Sequence, residues 1–171
     1  VTDAPFARRR HALGPVDLVP LGPEAIPALA AGVAALDPWK RIGVAPEAWA
    51  TRMAKTTPGG HRFVLEREGA AVGYLSIRHP FMRGPYLETI AVFAEARSHG
   101  IARAVIDWMA AEAAKDGERE LWLCVTEWNA PARAAYAALG FVEVAPLADL
   151  VAEGQSEIFM RRTLAAPTDR R

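Results

Sequence analysis

Hydrophobic positions recur at two periods along this 171-residue chain, and the switches between them predict its elements. Alternation, or a short run of β-branched and aromatic residues, marks strands; spacing of three and four marks helices. Val16 to Leu21 reads as a short first strand. Pro23 and Glu24 open an alanine-rich helix to about Leu36, with Pro27 in its first turn, where proline is tolerated. Asp37-Pro38-Trp39 breaks it, and Pro46-Glu47 starts a second helix to about Lys55. After the turn signal Thr57-Pro58-Gly59-Gly60, His61 to Glu66 and Ala71 to Arg78 form a hairpin about Arg67-Glu68-Gly69. Pro80 ends it, and Phe81 to Gly84 reads as a loop before a strand over Tyr86 to Phe93. Ile101, Val105, Trp108 and Met109, flanked by Ala102, Ile106 and Ala113, make a helical stripe ending near Gly117. Leu121 to Thr126 is a strand. Asn129 looks like an N-cap, with Pro131 in the first turn and Gly140 at the stop. Phe141 to Val144 is a strand, Ala145 to Ser156 a loop, and Glu157 to Leu164 the last strand.

No internal repeat or linker interrupts this series, so it predicts one domain over 15–164. A polar, arginine-containing tail (1–14) precedes it and a short tail (165–171) follows. The order β-α-α-β-β-β-α-β-α-β-β describes a mixed α/β (α+β) sheet. Hydrophobic residues make up 51% and charged residues 23%, the balance of a globular domain. The formal net charge of +0 argues against a nucleic-acid partner, which calls for a basic footprint. No apolar run approaches the ~20 residues that cross a bilayer, and the first residues lack a signal peptide's apolar core. The expected setting is therefore cytoplasmic, without a membrane partner. The single cysteine, Cys124, excludes a disulfide framework, and its apolar flanks predict a buried thiol. His61 and His79 stand alone in sequence, without the neighbours of a metal site.

Candidate chemistry centres on Tyr86 to Ala102, a strand, a turn and a helix start. Arg97-Ser98-His99-Gly100-Ile101-Ala102 has the form Arg-x-x-Gly-x-Ala. The free N–H groups and positive dipole end of a helix N-terminus attract phosphate. Gly100 permits close backbone approach, Ala102 does not obstruct it, and Arg97 adds a forked cation. An ordinary strand–helix turn with an incidental glycine is the competing reading.

This stretch resembles motif A of the GCN5-related N-acetyltransferase (GNAT) superfamily, and Glu127-Trp128-Asn129, Tyr136 and Gly140-Phe141 resemble its second signature. The likeness runs from Tyr86 to Phe141, and Glu157 to Leu164 looks like the family's last strand. It implies the GNAT fold, a mostly antiparallel sheet of six to seven strands flanked by four helices. It also implies acetyl-CoA as co-substrate, held by Arg97, Ser98, His99, Gly100, Ile101, Ala102 and Arg103 at the pyrophosphate. Backbone groups of Ile90, Ala91 and Val92, with Asn129, would then meet the pantetheine arm. Ser98 departs from the glycine common there but keeps its N–H. Tyr86-Leu87-Glu88 most resembles the diamine/polyamine branch. That branch usually has Asp at the next position; here it is Thr89, so a dicationic substrate loses an anionic anchor.

An alkylamine with a pKa of about 10.4 is neutral in only about one molecule in a few thousand at pH 7, so its acetylation needs a route for a proton. Glu88, a carboxylate in a β-branched strand, is the candidate base. Alternation places it on a face with Tyr86, Ile90 and Val92, whose apolar surroundings would raise its pKa. Tyr136, seven residues beyond Asn129 and so two helical turns along the same face, is the candidate acid for the leaving thiolate. The alternatives are a solvent-facing Glu88, a packed Tyr136 and an Asn129 that only caps. Trp39 and Trp49 lie in the region that lines the acceptor pocket in that family, or else cap the core edge. Asp37 and Glu47 either meet a cationic acceptor or face water. The leading function is transfer of acetyl from acetyl-CoA to a primary amine of a small molecule or peptide, direct and without a metal. A non-catalytic acyl-CoA-binding protein and transfer of another acyl group are the alternatives. Edge strands and the family's habits point to a homodimer.

Overall fold

The computed structural model describes residues 3–165, so all but the first residue of the expected C-terminal tail lies outside the described residues. The strands are β1 (His11–Ala12), β2 (Asp17–Pro20), β3 (Gly60–Arg67), β4 (Ala70–Phe81), β5 (Gly84–Val92), β6 (Glu120–Thr126), β7 (Val142–Ala152) and β8 (Gln155–Thr163). They form one sheet in the order β1-β2-β3-β4-β5-β6-β8-β7. Every neighbouring pair is antiparallel except β5 and β6. The helices are α1 (Ile26–Ala34), α2 (Trp39–Ile42), α3 (Pro46–Ala54), α4 (Ile101–Lys115) and α5 (Ala130–Ala138).

Two apolar clusters sandwich the sheet. On one face α4 buries Ile101, Val105, Ile106, Met109 and Ala113 against Leu75, Leu87, Leu123 and Ile158, and Ala132 and Tyr136 of α5 pack beside them. On the other face Leu29, Ala30 and Val33 of α1 and Trp49 and Met53 of α3 cover Val64, Tyr74 and Ala91. The α4 stripe is the one that helical spacing predicted.

The structure corrects four expectations. The sheet has eight strands rather than six or seven, and Trp39–Ile42 adds a fifth, one-turn helix among the described residues. The N-terminal stretch is not a free arm: Phe6 is fully buried among His61, His79 and Trp108, and its N–H donates to Glu112 at 2.8 Å. Burying one large ring stabilises by roughly 1.5–3 kcal/mol, enough to hold a short segment. His61 and His79, near the ends of β3 and β4, flank Phe6, and His79 also meets Glu118 at 2.7 Å. Finally, Ala145 to Ser156 is no loop. β7 runs to Ala152, through register shifts opposite β8. As the sheet's last strand it can carry Pro146, because an edge residue needs no ladder partner on its outer side.

Candidate active site

The sheet splits at its centre. β5 and β6 pair in parallel at only two positions, Tyr86 with Trp122 and Leu87 with Leu123. Gly84 makes the close approach at the start of this pair, since a Cβ there would lie 1.7 Å from the carbonyl oxygen of Glu120. Beyond Leu87 the strands part, and both line a cleft of about 380 Å³. A bulge marks the point of parting. Ser76 pairs with Thr89 and Ile77 with Leu87, leaving Glu88 as an extra residue in β5. Bulges turn side chains and increase twist, which suits a strand leaving its neighbour.

The bulge also breaks the alternation used to place Glu88. Leu87, Ile90 and Val92 all pack on the α4 side, whereas Glu88 reaches Ser76 and Arg78 near Tyr74 on the α1–α3 side. Its surroundings are polar rather than apolar. The Ser76 hydroxyl donates to Oε2 at 2.6 Å, and Arg78 donates to Oε1 from Nε at 2.9 Å and Nη2 at 2.6 Å. Both oxygens of Glu88 are thus engaged by hydrogen-bond donors.

Beyond Val92 the chain turns through Ala94–Ala96 into the N-terminus of α4. Ser98 and Gly100 take left-handed conformations, with φ of 66° and 72°. Among the described residues, the backbone N–H groups of Ser98, His99, Gly100, Ile101, Ala102 and Arg103 have no hydrogen-bond acceptor. Left-handed turns of this kind gather successive N–H groups into an anion-binding concavity. Arg97 and Ala102 line the cleft. The Ile101 side chain is buried in the core, and His99 turns its ring to the Arg97 carbonyl, Nδ1 at 2.8 Å, so these two offer backbone rather than side chain. Gly100 is exposed, and a Cβ there would meet nothing within 4 Å.

Tyr136 and Asn129 also line the cleft, on the α5 side. The Asn129 side chain accepts from Ala132 N–H at 3.3 Å, so it caps α5 while facing the cleft. Tyr136 packs edge-on against Phe141, and burial pushes its pKa up to about 12. Its hydroxyl therefore holds its proton at neutral pH.

Several cleft residues were not expected there. Cys124 is half-buried and lines the cleft rather than filling the core. Burial raises its pKa, so it stays a thiol at neutral pH. Tyr86, beside it, is likewise raised by burial. Glu157 of β8 lines the same wall. The signal that singled out Glu88, a carboxylate within a strand, was equally present in Glu157-Ile158-Phe159. The far wall comes from Leu36, Asp37, Pro38, Trp39, Ile42 and Trp49, with Leu150 and Val151 of β7 at the mouth. Trp39 and Trp49 meet edge-to-face at 5.2 Å. Asp37 is thus a cleft residue; Glu47 is an exposed one outside it. Among the described residues no group of three or more His, Cys, Asp or Glu side chains is placed to hold a metal. No described helix is long and apolar enough to cross a membrane.

Comparison with known proteins places this geometry. The family model described as "Acetyltransferase (GNAT) family" matches residues 32–141. No curated protein matches the chain by sequence. Among solved structures, nourseothricin acetyltransferase is 29% identical, with a TM-score of 0.57 over 63% of this chain and 67% of that one. The ribosomal-protein-S18-alanine N-acetyltransferase of Escherichia coli is 21% identical, with a TM-score of 0.66 over 90% and 97%. An aminoglycoside 6'-N-acetyltransferase complexed with coenzyme A is 13% identical, with a TM-score of 0.68 over 89% and 99%. The last two are likenesses of fold.

Proposed function

This chain belongs to the acetyltransferase (GNAT) family, and from that premise we propose that it transfers the acetyl group of acetyl-CoA to a primary amine of a small molecule or peptide. The observation that carries the reading is the run of six acceptor-free N–H groups, Ser98 to Arg103, at the end of the cleft where β5 leaves β6. A pyrophosphate supplies the acceptors those groups lack. Arg97 adds a cation, and the open space at Gly100 leaves room for close approach. The free edges of Ile90, Ala91 and Val92, with Asn129, are assigned to the pantetheine arm.

The cleft joins the two faces of the sheet, so an acid and an acceptor site can address opposite sides of one reacting carbonyl. Acetyl-CoA supplies the activated acyl group. Tyr136, on the α5 side, keeps its proton at neutral pH and gives it to the sulfur as the thiolate leaves. On the other side Glu88, ion-paired with Arg78 at 2.6 Å, draws the acceptor's ammonium in. Trp39 supplies a flat apolar wall beside it. Cys124, kept as a thiol by burial, favours direct attack in a ternary complex over a covalent enzyme intermediate.

Nourseothricin, an aminoglycoside, a peptide with N-terminal alanine and a linear diamine together span the acceptor chemistry of the similar structures and of the branch that Tyr86-Leu87-Glu88 resembles. CoA release from acetyl-CoA in the presence of each tests the function. Release that depends on an added amine is expected; release unchanged by every amine overturns the reading. A cytoplasmic homodimer completes the proposal, with exposed Val142, Val144, Leu150 and Val151 on the edge strand β7 as the apolar surface that a second copy would cover. Sedimentation of the purified protein as a monomer would exclude the dimer.

A further inference from the structure

The cleft holds two glutamates in opposite environments. Resting on the acetyl-transfer reading, we infer that Glu157 is the general base, while Glu88 is the fixed anion that holds the ammonium in place. Glu157 is only 5% exposed, yet it lines the cleft. It sits directly across from Thr126 on β6, whose hydroxyl offers it a hydrogen bond. None of the ion pairs among the described residues includes it. Glu88 lies at the other extreme, with one oxygen on a guanidinium and the other on a hydroxyl. A proton arriving at Glu157 relieves a buried charge.

Every element packed about Glu157 agrees. β5 presents Tyr86, and β6 presents Cys124 and Thr126; burial keeps the first two neutral. β7 places Leu147 opposite it. Glu88, across the cleft, is a like charge, and both carboxylates act on the Tyr86 hydroxyl between them. The other charged groups of the cleft wall are Asp37, Arg52 and Arg97. With no cation paired to it, burial raises the Glu157 pKa, which brings its proton affinity closer to that of the amine. In the step itself an N–H bond of the ammonium breaks and an O–H bond forms at Glu157. The freed nitrogen pair makes the C–N bond as the C–S bond breaks, and the sulfur takes the Tyr136 proton. The acylated nitrogen then loses its second N–H proton, which solvent carries to the Tyr136 oxygen, and Glu157 gives its proton to solvent, so each turnover leaves an amide, a thiol and one released proton.

The test compares the parent with Glu157→Gln and Glu88→Gln, using benzylamine and the much less basic trifluoroethylamine as acceptors, across pH. Gln keeps the shape of Glu157 and its hydrogen bond with Thr126. Glu157→Gln should lower benzylamine acetylation at neutral pH by roughly 10²–10⁴-fold. The deficit should shrink as pH rises and for trifluoroethylamine, which arrives already neutral. Glu88→Gln should raise the benzylamine KM and keep the acid limb of the pH–rate profile. In protein labelled with carbon-13 at the glutamate carboxyls, one resonance should titrate above the ordinary carboxylate range and vanish in Glu157→Gln. An amine-dependent rate that Glu157→Gln leaves intact, or a deficit equal for both amines, overturns the inference alone. So does a Glu157 resonance that titrates in the ordinary range. No amine-dependent CoA release from the parent overturns the acetyl-transfer reading, and the inference with it.

Discussion

Replacing Gly100 by Asp and by Asn isolates the electrostatic part of the phosphate site. Gly100 has φ of 72°, a left-handed conformation that Asn and Asp tolerate better than other side-chain-bearing residues. The added Cβ meets nothing within 4 Å, so neither variant collides with the protein. The two side chains have nearly the same shape and differ by one charge. Backbone strain is then common to both and should cost less than about 1 kcal/mol of stability in each. A carboxylate about 6 Å from a doubly charged pyrophosphate, in a dielectric of about 80, is repelled by about 1.4 kcal/mol. That is about a tenfold difference in CoA Kd between the variants at low salt. At physiological ionic strength, with a Debye length of about 8 Å, the ratio should fall to about threefold. Calorimetric titration with CoA measures both values, and pantetheine, which lacks phosphate, should not discriminate. Equal CoA affinities for the Asp and Asn variants at low salt would refute the placement of phosphate at Ser98 to Arg103.

Tyr136→Phe removes a hydroxyl that has no hydrogen-bond partner among the described residues, so stability at pH 7 should change little while kcat falls by roughly 10²–10⁴-fold. Since its folded pKa, about 12, lies above the unfolded value of about 10, the parent should lose stability as pH rises from 10 through 12, and Tyr136→Phe should not share this loss; thermal melts at alkaline pH measure the gap. Phe6→Ala should destabilise by about 3–5 kcal/mol in a denaturant titration, and a loss below about 1 kcal/mol would return the N-terminal segment to a free arm. Glu157, whose folded pKa is raised, contributes most below the ordinary carboxylate range and loses that contribution as pH climbs through the raised value; Glu157→Gln should therefore match the parent in acid and melt higher at neutral pH.

Most of the fold was legible because each helix carries its own periodicity. The stripe of Ile101, Val105, Ile106, Met109 and Ala113 needs no tertiary information, and Asn129 with Gly140 brackets α5 locally. The misses share one physical cause: a lone residue whose partner is distant in sequence. Phe6 looks like a stray apolar residue in a polar stretch until Glu112, 106 residues away, takes its N–H. Proline at 146 reads as a break because sequence cannot say that β7 will be the sheet's edge.

The same limit divides the candidate site. The turn proposed for phosphate is local, with strand end, left-handed turn and helix start contiguous, so the geometry of Arg97 to Arg103 is legible in the sequence. The acid and the acceptor side are non-local, because they exist only where β5 and β6 part. Alternation failed at Glu88 through a single inserted residue, which turned it from Ile90 and Val92 toward Ser76 and Arg78. Its surroundings are therefore polar, not the apolar ones that alternation predicted. Burial without an ion pair among the described residues belongs instead to Glu157, which reaches the cleft only because β8 pairs with β6 rather than with β5. One bulge and one strand order thus set the partners of two identical side chains, and neither is visible in the residues themselves.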